Sequence, residues 1–230
     1  MYPSCGTISC VWRSQRDGGS GWPSGQRHSS ATAALGLWFG DDQQSLVSTV
    51  ADVSRLTHQD PRSIAGGVAV ALAANILAGD RTIDAIKLCN SIADATNYIN
   101  TELSDLIREL PTHLHTPNGR EFIAFAGQSS AEFAAPIISP FVIPTVLASI
   151  YCVIQYRNSW VEAVTSAVQF GGDVDTLGAI VGALAGVVHG TNGIPSNLAT
   201  GLQDSDSIQI LAARYHSLIE SRSGTQGSAR

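Results

Sequence analysis

Residues 61–79 read PRSIAGGVAVALAANILAG, with Arg62 as the only charged side chain. On a helical projection this stretch is apolar or small on nearly every side. A helix of that kind is stable in water only when other elements cover it all round. The rest of the chain must therefore supply several covering elements. Pro61 suits the first turn of such a helix, Asp60 suits its cap, and Gly79 its end. The 230 residues are 44% hydrophobic and 14% charged. That is enough for one domain with a sizeable core, and too little charge for a disordered chain.

The covering segments also carry helical periodicity. In DDQQSLVSTVADVSRL, Leu46, Val47, Val50, Val53 and Leu56 recur at steps of three or four and define one face. Asp41 and Gln44 fit a capping box at its start. Residues 81–110 read as one long amphipathic helix or a broken pair, ended by Pro111 and the polar THLHTPNGR. Residues 145–157 and 159–170 predict two more helices. Another helix opens after FGGDVDT with Gly178, Gly182, Gly186 and Gly190 four apart, a ridge that would let a neighbouring backbone approach. A last amphipathic helix covers 205–219. No segment alternates as a strand does, so about six to eight helices and no sheet are expected. The fold class is all-α, a compact multi-helix bundle.

Residues 1–30 differ in kind. They are rich in Gly, Ser and Arg, their only apolar patch runs from Cys5 to Trp12, and they read as a disordered or non-native leader. The helical domain then spans 31–222, followed by a frayed tail at 223–230. Thirteen basic against nineteen acidic residues, with no basic run, argue against nucleic-acid binding. Cys5, Cys10, Cys89 and Cys152 form no CxxC pair. They read as reduced thiols of a cytoplasmic protein, and no signal-peptide core precedes them. Residues 133–156 are uncharged, but Pro136, Pro140 and Pro144 interrupt them, leaving a helix from Thr145 too short to span a bilayer.

Two constellations carry chemistry. In GGDVDT, Asp173 and Asp175 lie two apart, Thr176 follows, and Gly171 and Gly172 allow the backbone to turn sharply before them. Magnesium takes such oxygen ligands, usually one or two carboxylates with waters and substrate oxygens. The plainer alternative makes Asp175 or Thr176 the cap of the next helix and Asp173 a turn residue. In THQDPR, His58 stands between two helices, where an imidazole or helix N-terminal amides could meet a phosphate. Its plainer alternative is a loop histidine beside the N-cap Asp60.

GGDVDTLGAIVGALAGVVHGTNGIP resembles the signature of the ADP-ribosylglycohydrolase family. LGLWF with SRLTHQDPRSIAGGVAVALA, and ISPFVIPTVLASIY, are similar to two further blocks, and the three stand in family order over about residues 33–217. The resemblance implies the family's orthogonal multi-helix bundle, here shortened at the N-terminus. It implies hydrolysis of an ADP-ribosyl conjugate beside two magnesium ions. Asp173, Asp175 and Thr176 match the C-terminal metal ligands; His58 matches a histidine that contacts ADP-ribose, and Gly171 and Gly172 fall in the same ligand-binding turn. ADP-ribose or an ADP-ribosylated protein is the implied partner. No catalytic acid or base is assigned.

The chain departs from the pattern upstream. The family's Gly-Asp-rich first helix and its Thr/Ser-Asp-Asp stretch have no counterpart, and HSSATAA stands where an Asn-Gly phosphate loop belongs. Asp41-Asp42 is no substitute, because acids at that place cap a surface helix. One magnesium half-site is thus expected. The competing reading is an inactive ADP-ribose-binding remnant, or a truncated gene product lacking half the metal site.

Overall fold

A computed structural model describes residues 26–79, 82, 84–127 and 136–226. Eleven α-helices are found among them: α1 Gln26–Trp38, α2 Gln43–Arg55, α3 Pro61–Gly79, α4 Ala85–Thr96, α5 Thr101–Glu109, α6 Gly119–Phe125, α7 Val142–Gln155, α8 Trp160–Val168, α9 Val174–His189, α10 Ser196–Thr200 and α11 Ser205–Gln226. Short 3-10 turns lie at Leu110–His113 and Thr191–Gly193. Among the described residues, β pairing is limited to a single bridge between Ile138 and Gly172. The all-α expectation holds, with more helices than the periodicity resolves, because pieces as short as α6 and α10 span too few turns to show a period.

Helix α3 is the centre. Every residue from Ser63 to Ala74 is buried, and so is Leu77. Helices α1, α2, α4, α5, α7 and α9 all pack against it. By length and composition α3 could also cross a membrane, but 78% of its apolar window is buried inside the bundle. Its small residues let α1 come close. Thr32 Oγ1 donates to the Gly67 carbonyl at 2.9 Å, and a Cβ on Gly36 would fall on the Ala71 carbonyl. Asn75 then ties in the turn that follows, donating to the carbonyls of Gly36 (3.0 Å) and Gly40 (2.8 Å).

Several local expectations shift. Helix α1 begins at Gln26, five residues before the domain start read from the sequence; residues 1–25, with Cys5 and Cys10, lie outside the described residues. The cap of α2 is Asp42, accepting from Ser45 N at 3.0 Å, rather than Asp41. Its buried face is Leu46, Val50, Ala51 and Ser54, and Leu56 is 83% exposed. Residues 85–109 form the broken pair: Asn97 ends α4 and Asn100 caps α5, accepting from Leu103 N at 2.8 Å. As expected, the α-helix ends just before Pro111, at Glu109, and a 3-10 turn over Leu110–His113 follows. Helix α7 starts at Val142, not Thr145. Pro144 fits its first turn, where a backbone N–H has no partner within the helix.

The glycine ridge of α9 does not serve close packing. A Cβ at Gly178 or Gly186 would meet nothing within 4 Å, and one at Gly182 only ordinary contacts with Trp160 and Val164. Gly190 caps the helix with φ +65°. Helix α11 runs on to Gln226, and its Ile208, Ile210, Leu211 and Leu218 are exposed rather than buried as an amphipathic face. It meets α1 through Tyr215, whose hydroxyl donates to the Ala34 carbonyl at 2.7 Å and whose ring stacks on Trp38.

Candidate functional site

The site begins where α8 ends. Phe170 N donates to the Ala167 carbonyl and Gly171 N to that of Val168, closing the helix. Gly171 and Gly172 then take φ +72° and +80°, a conformation that side chains disfavour. The turned chain is clamped to the extended segment before α7. Ile138 N donates to the Gly171 carbonyl at 3.1 Å, and Asp173 N donates to the Ile138 carbonyl at 3.0 Å. A Cβ on Gly172 would fall on that same Ile138 oxygen. Both glycines are therefore required, and the second allows no side chain.

Asp173 occupies the N-cap position of α9, so Asp175 and Thr176 lie in the first helical turn. This corrects the plainer sequence alternative, which put the cap at Asp175 or Thr176. An N-cap aspartate ordinarily accepts from the backbone amides of the first turn. The side chain of Asp173 makes no full cap bond of that kind, only a weaker approach to the Thr176 amide. Its Oδ1 accepts instead from Thr176 Oγ1 at 3.1 Å. The three oxygen-bearing side chains thus stand together at the positive end of a sixteen-residue helix.

Electrostatics mark the same place. Partial burial pushes the Asp173 carboxyl above its ordinary range; the neighbouring Asp175 carboxylate pushes the same way, against the lowering effect of the Thr176 hydroxyl. A carboxyl with a raised folded pKa favours the protonated folded state. Its stabilising contribution is complete below the unfolded pKa and is lost as pH rises through the folded one. Asp173→Asn mimics the protonated form. At pH 7 without metal, the variant is expected to melt above the wild type, with the gap closing below the ordinary carboxylate range. Melting curves across pH check this, and a lower melting temperature for the variant at pH 7 contradicts it.

His58 lies at the junction of α2 and α3, half-buried. Its backbone N donates to the Ser54 carbonyl at 2.9 Å, and its Nδ1 is 2.8 Å from Thr57 Oγ1. Asp60 behaves as the expected N-cap, accepting from Arg62 N at 2.9 Å. It also holds the Arg62 guanidinium, Nη2 to Oδ2 at 2.8 Å, and that bond keeps the Asp60 carboxyl below its usual range. The sequence reading did not single out Arg62. Asp60 and Arg62 line a small cavity with Phe141, Val142 and Ile143 of α7's start. Ile138, which pairs with the Gly171–Gly172 turn, is thus three residues from Phe141, which lines this cavity with Asp60 and Arg62. Helices α3, α7 and α9, which carry the three sequence blocks, pack on one another, and His58 and the Asp173 turn lie on separate elements.

Asp173, Asp175 and Thr176 offer hard oxygen donors of the kind magnesium takes. Among the described residues, no cluster of three or more His, Cys, Asp or Glu side chains could by itself hold a metal ion. Cys89 and Cys152 are buried free thiols, both pushed up to about 12 by burial, and neither is an available nucleophile.

A family model described as ADP-ribosylglycohydrolase matches residues 6–225, nearly the whole chain and more than the stretch over which the three blocks carry the resemblance. That family is hydrolytic and acts on ADP-ribosyl conjugates.

Proposed function

This chain belongs to the ADP-ribosylglycohydrolase family, and we propose that it removes ADP-ribose from a modified protein side chain in a magnesium-dependent reaction. The observation that carries the reading is the Asp173–Asp175–Thr176 cluster on a backbone turn pinned by Ile138. Asp173 and Asp175 would hold magnesium with the Thr176 hydroxyl. Magnesium bound there supplies positive charge that orients and polarises the hydroxyls of the distal ribose. The side-chain-free Gly171 and Gly172 let the turn seat against Ile137 and Ile138, which sets where the two carboxylates of the ligand-binding turn stand. His58 contributes a hydrogen bond to ADP-ribose from the α2–α3 junction. Water then adds at the anomeric carbon as the bond to the protein side chain breaks, through an oxocarbenium-like state. The departing side chain takes up a proton, and free ADP-ribose is the other product. The proposed setting is the cytoplasm, where thiols stay reduced.

A second reading, an ADP-ribose-binding protein without turnover, is favoured by one observation. The carboxylates at the turn number two, and a stable magnesium site needs more converging oxygens than they supply.

Both readings require an assembled site. Thermal melts of the chain should shift upward with magnesium plus ADP-ribose. Ligand at a hundredfold its Kd stabilises by about 2.7 kcal/mol, which for a domain of this size is roughly 5–10 °C. Superimposable melts at millimolar magnesium and ADP-ribose would defeat both readings.

A further inference from the structure

The Gly171–Gly172 turn has no side chains with which to anchor itself. Ile138 holds one side of it through the backbone. The stretch that leads into it is reached by Arg120, the second residue of α6. Its Nη2 donates to the Ser166 carbonyl at 2.7 Å and lies 3.0 Å from Ser166 Oγ. Its Nη1 donates to the Gln169 carbonyl at 3.4 Å. The guanidinium carbon lies 4.3 Å above the centre of the Phe170 ring. Ser166 and Gln169 belong to the end of α8, where helix carbonyls lack partners of their own, and a guanidinium fork is suited to serve several at once.

Each of these contacts falls within six residues before Gly172. Phe170 is buried and packs edge-on against Tyr151 of α7 at 6.3 Å. Arg120 is half-buried, and Gly119 beside it leaves no room for a side chain of its own next to the His113 carbonyl. No ion pair among the described residues includes Arg120, so the donors described here go to the end of α8 rather than to a carboxylate.

We infer that Arg120 is a positioning residue: by gripping the end of α8 and the face of Phe170, it sets where the turn carrying Asp173 and Asp175 sits. Its consequence for ligand binding rests on the function proposed above; the positioning itself does not. Loss of the fork frees the end of α8 to fray, and the dicarboxylate turn moves with it. The grip on Ile138 then loosens from the opposite side.

The test compares the wild-type chain with Arg120→Met, which keeps an unbranched chain over Phe170 but removes every donor. Amide hydrogen exchange is read by NMR at Ile138, Gly171 and Asp173, with Val70 and Ala71 of α3 as references. The three turn amides should exchange about tenfold faster while the α3 amides change less than about twofold, the pattern of a local opening. Arg120→Lys, which keeps a donor but not the fork, should recover part of the protection. In parallel, the magnesium half-saturation for ADP-ribose binding should rise about tenfold, the low end of what loss of a supporting contact costs a metal site. Unchanged turn amides, or equal acceleration throughout the chain, would overturn the assignment. So would an unchanged half-saturation in a chain that binds. If the wild type binds neither magnesium nor ADP-ribose, the proposed function fails, and the exchange comparison still decides the role of Arg120. Should Arg120→Met fail to fold, the same readouts are made on Arg120→Lys and Ser166→Ala, with smaller changes of the same pattern expected.

Discussion

Gly172→Ala is expected to melt roughly 6–12 °C below the wild-type chain, the shift that about 3 kcal/mol produces in a domain of this size. Two costs combine. A non-glycine residue at φ +80° is strained by about 1–2 kcal/mol. The new Cβ also falls on the Ile138 carbonyl oxygen, so one strand of the clamp must retreat. Retreat breaks the bonds between Ile138 N and the Gly171 carbonyl and between Asp173 N and the Ile138 carbonyl, each worth about 1 kcal/mol. The turn would then present Asp173 and Asp175 in a different place, so any magnesium-dependent ADP-ribose response is expected to be lost with the stability. Gly186→Ala is the control. A Cβ there meets nothing within 4 Å, and alanine is the better helix former by about 1 kcal/mol. That variant should be as stable as the wild type or more so. A Gly172→Ala chain that melts within a degree or two of the wild type would show that the backbone clamp does not hold the turn.

Asp173→Asn combined with Asp175→Asn should have the larger effect on binding and the smaller one on stability. The pair would supply both carboxylates of the proposed metal site, and magnesium gains little from neutral amides in their place. The magnesium half-saturation for ADP-ribose binding is expected to rise roughly 100-fold or more, beyond what loss of a merely supporting contact costs. The ligand-free chain should not be destabilised, because the substitution relieves partial burial of charge at Asp173 and its repulsion with Asp175. Calorimetric titration of magnesium in the presence of ADP-ribose reads the first effect and a melt reads the second. Retained binding in the double variant would remove these residues from the metal site. The opposed signs, binding lost and stability kept, separate this variant from Gly172→Ala.

The parts of the fold legible in the sequence are those fixed by composition or local chemistry. Helix α3 follows from its apolar circumference, because such a helix can exist only when covered. The sequence left residues 81–110 open between one long helix and a broken pair, and the structure sets the break at Asn97 and Asn100, an end residue and a cap. The carboxylates of the turn stood out only through the resemblance to the family signature; on spacing alone Asp173 and Asp175 read more simply as a turn residue and a helix cap. What was not legible is tertiary. Nothing in ISPFVIP announces that the Ile138 backbone pairs with a turn far along the chain. Pro144 suggested a later start for α7, although a proline in a first turn breaks no bond. Arg120 lay in a stretch read as a polar terminator, and α6 is too short for a periodic signal to correct that reading. The glycine stripe of α9 was read as a packing ridge, yet only the end glycine has a conformational reason, and nothing in the structure explains Gly178 or Gly186. Helix α11 shows the opposite failure. Its apolar residues suggested a buried face, and burial depends on a neighbour that periodicity cannot supply.

The proposed hydrolysis of an ADP-ribosyl bond depends on Asp173 and Asp175. Its direct test is release of free ADP-ribose from ADP-ribosylated protein, followed chromatographically with magnesium, with chelator, and with the Asp173→Asn/Asp175→Asn variant. Release is expected with magnesium, stopped by the chelator and lost in the double variant. Binding of ADP-ribose without release under any condition, or release that the double variant retains, would contradict it.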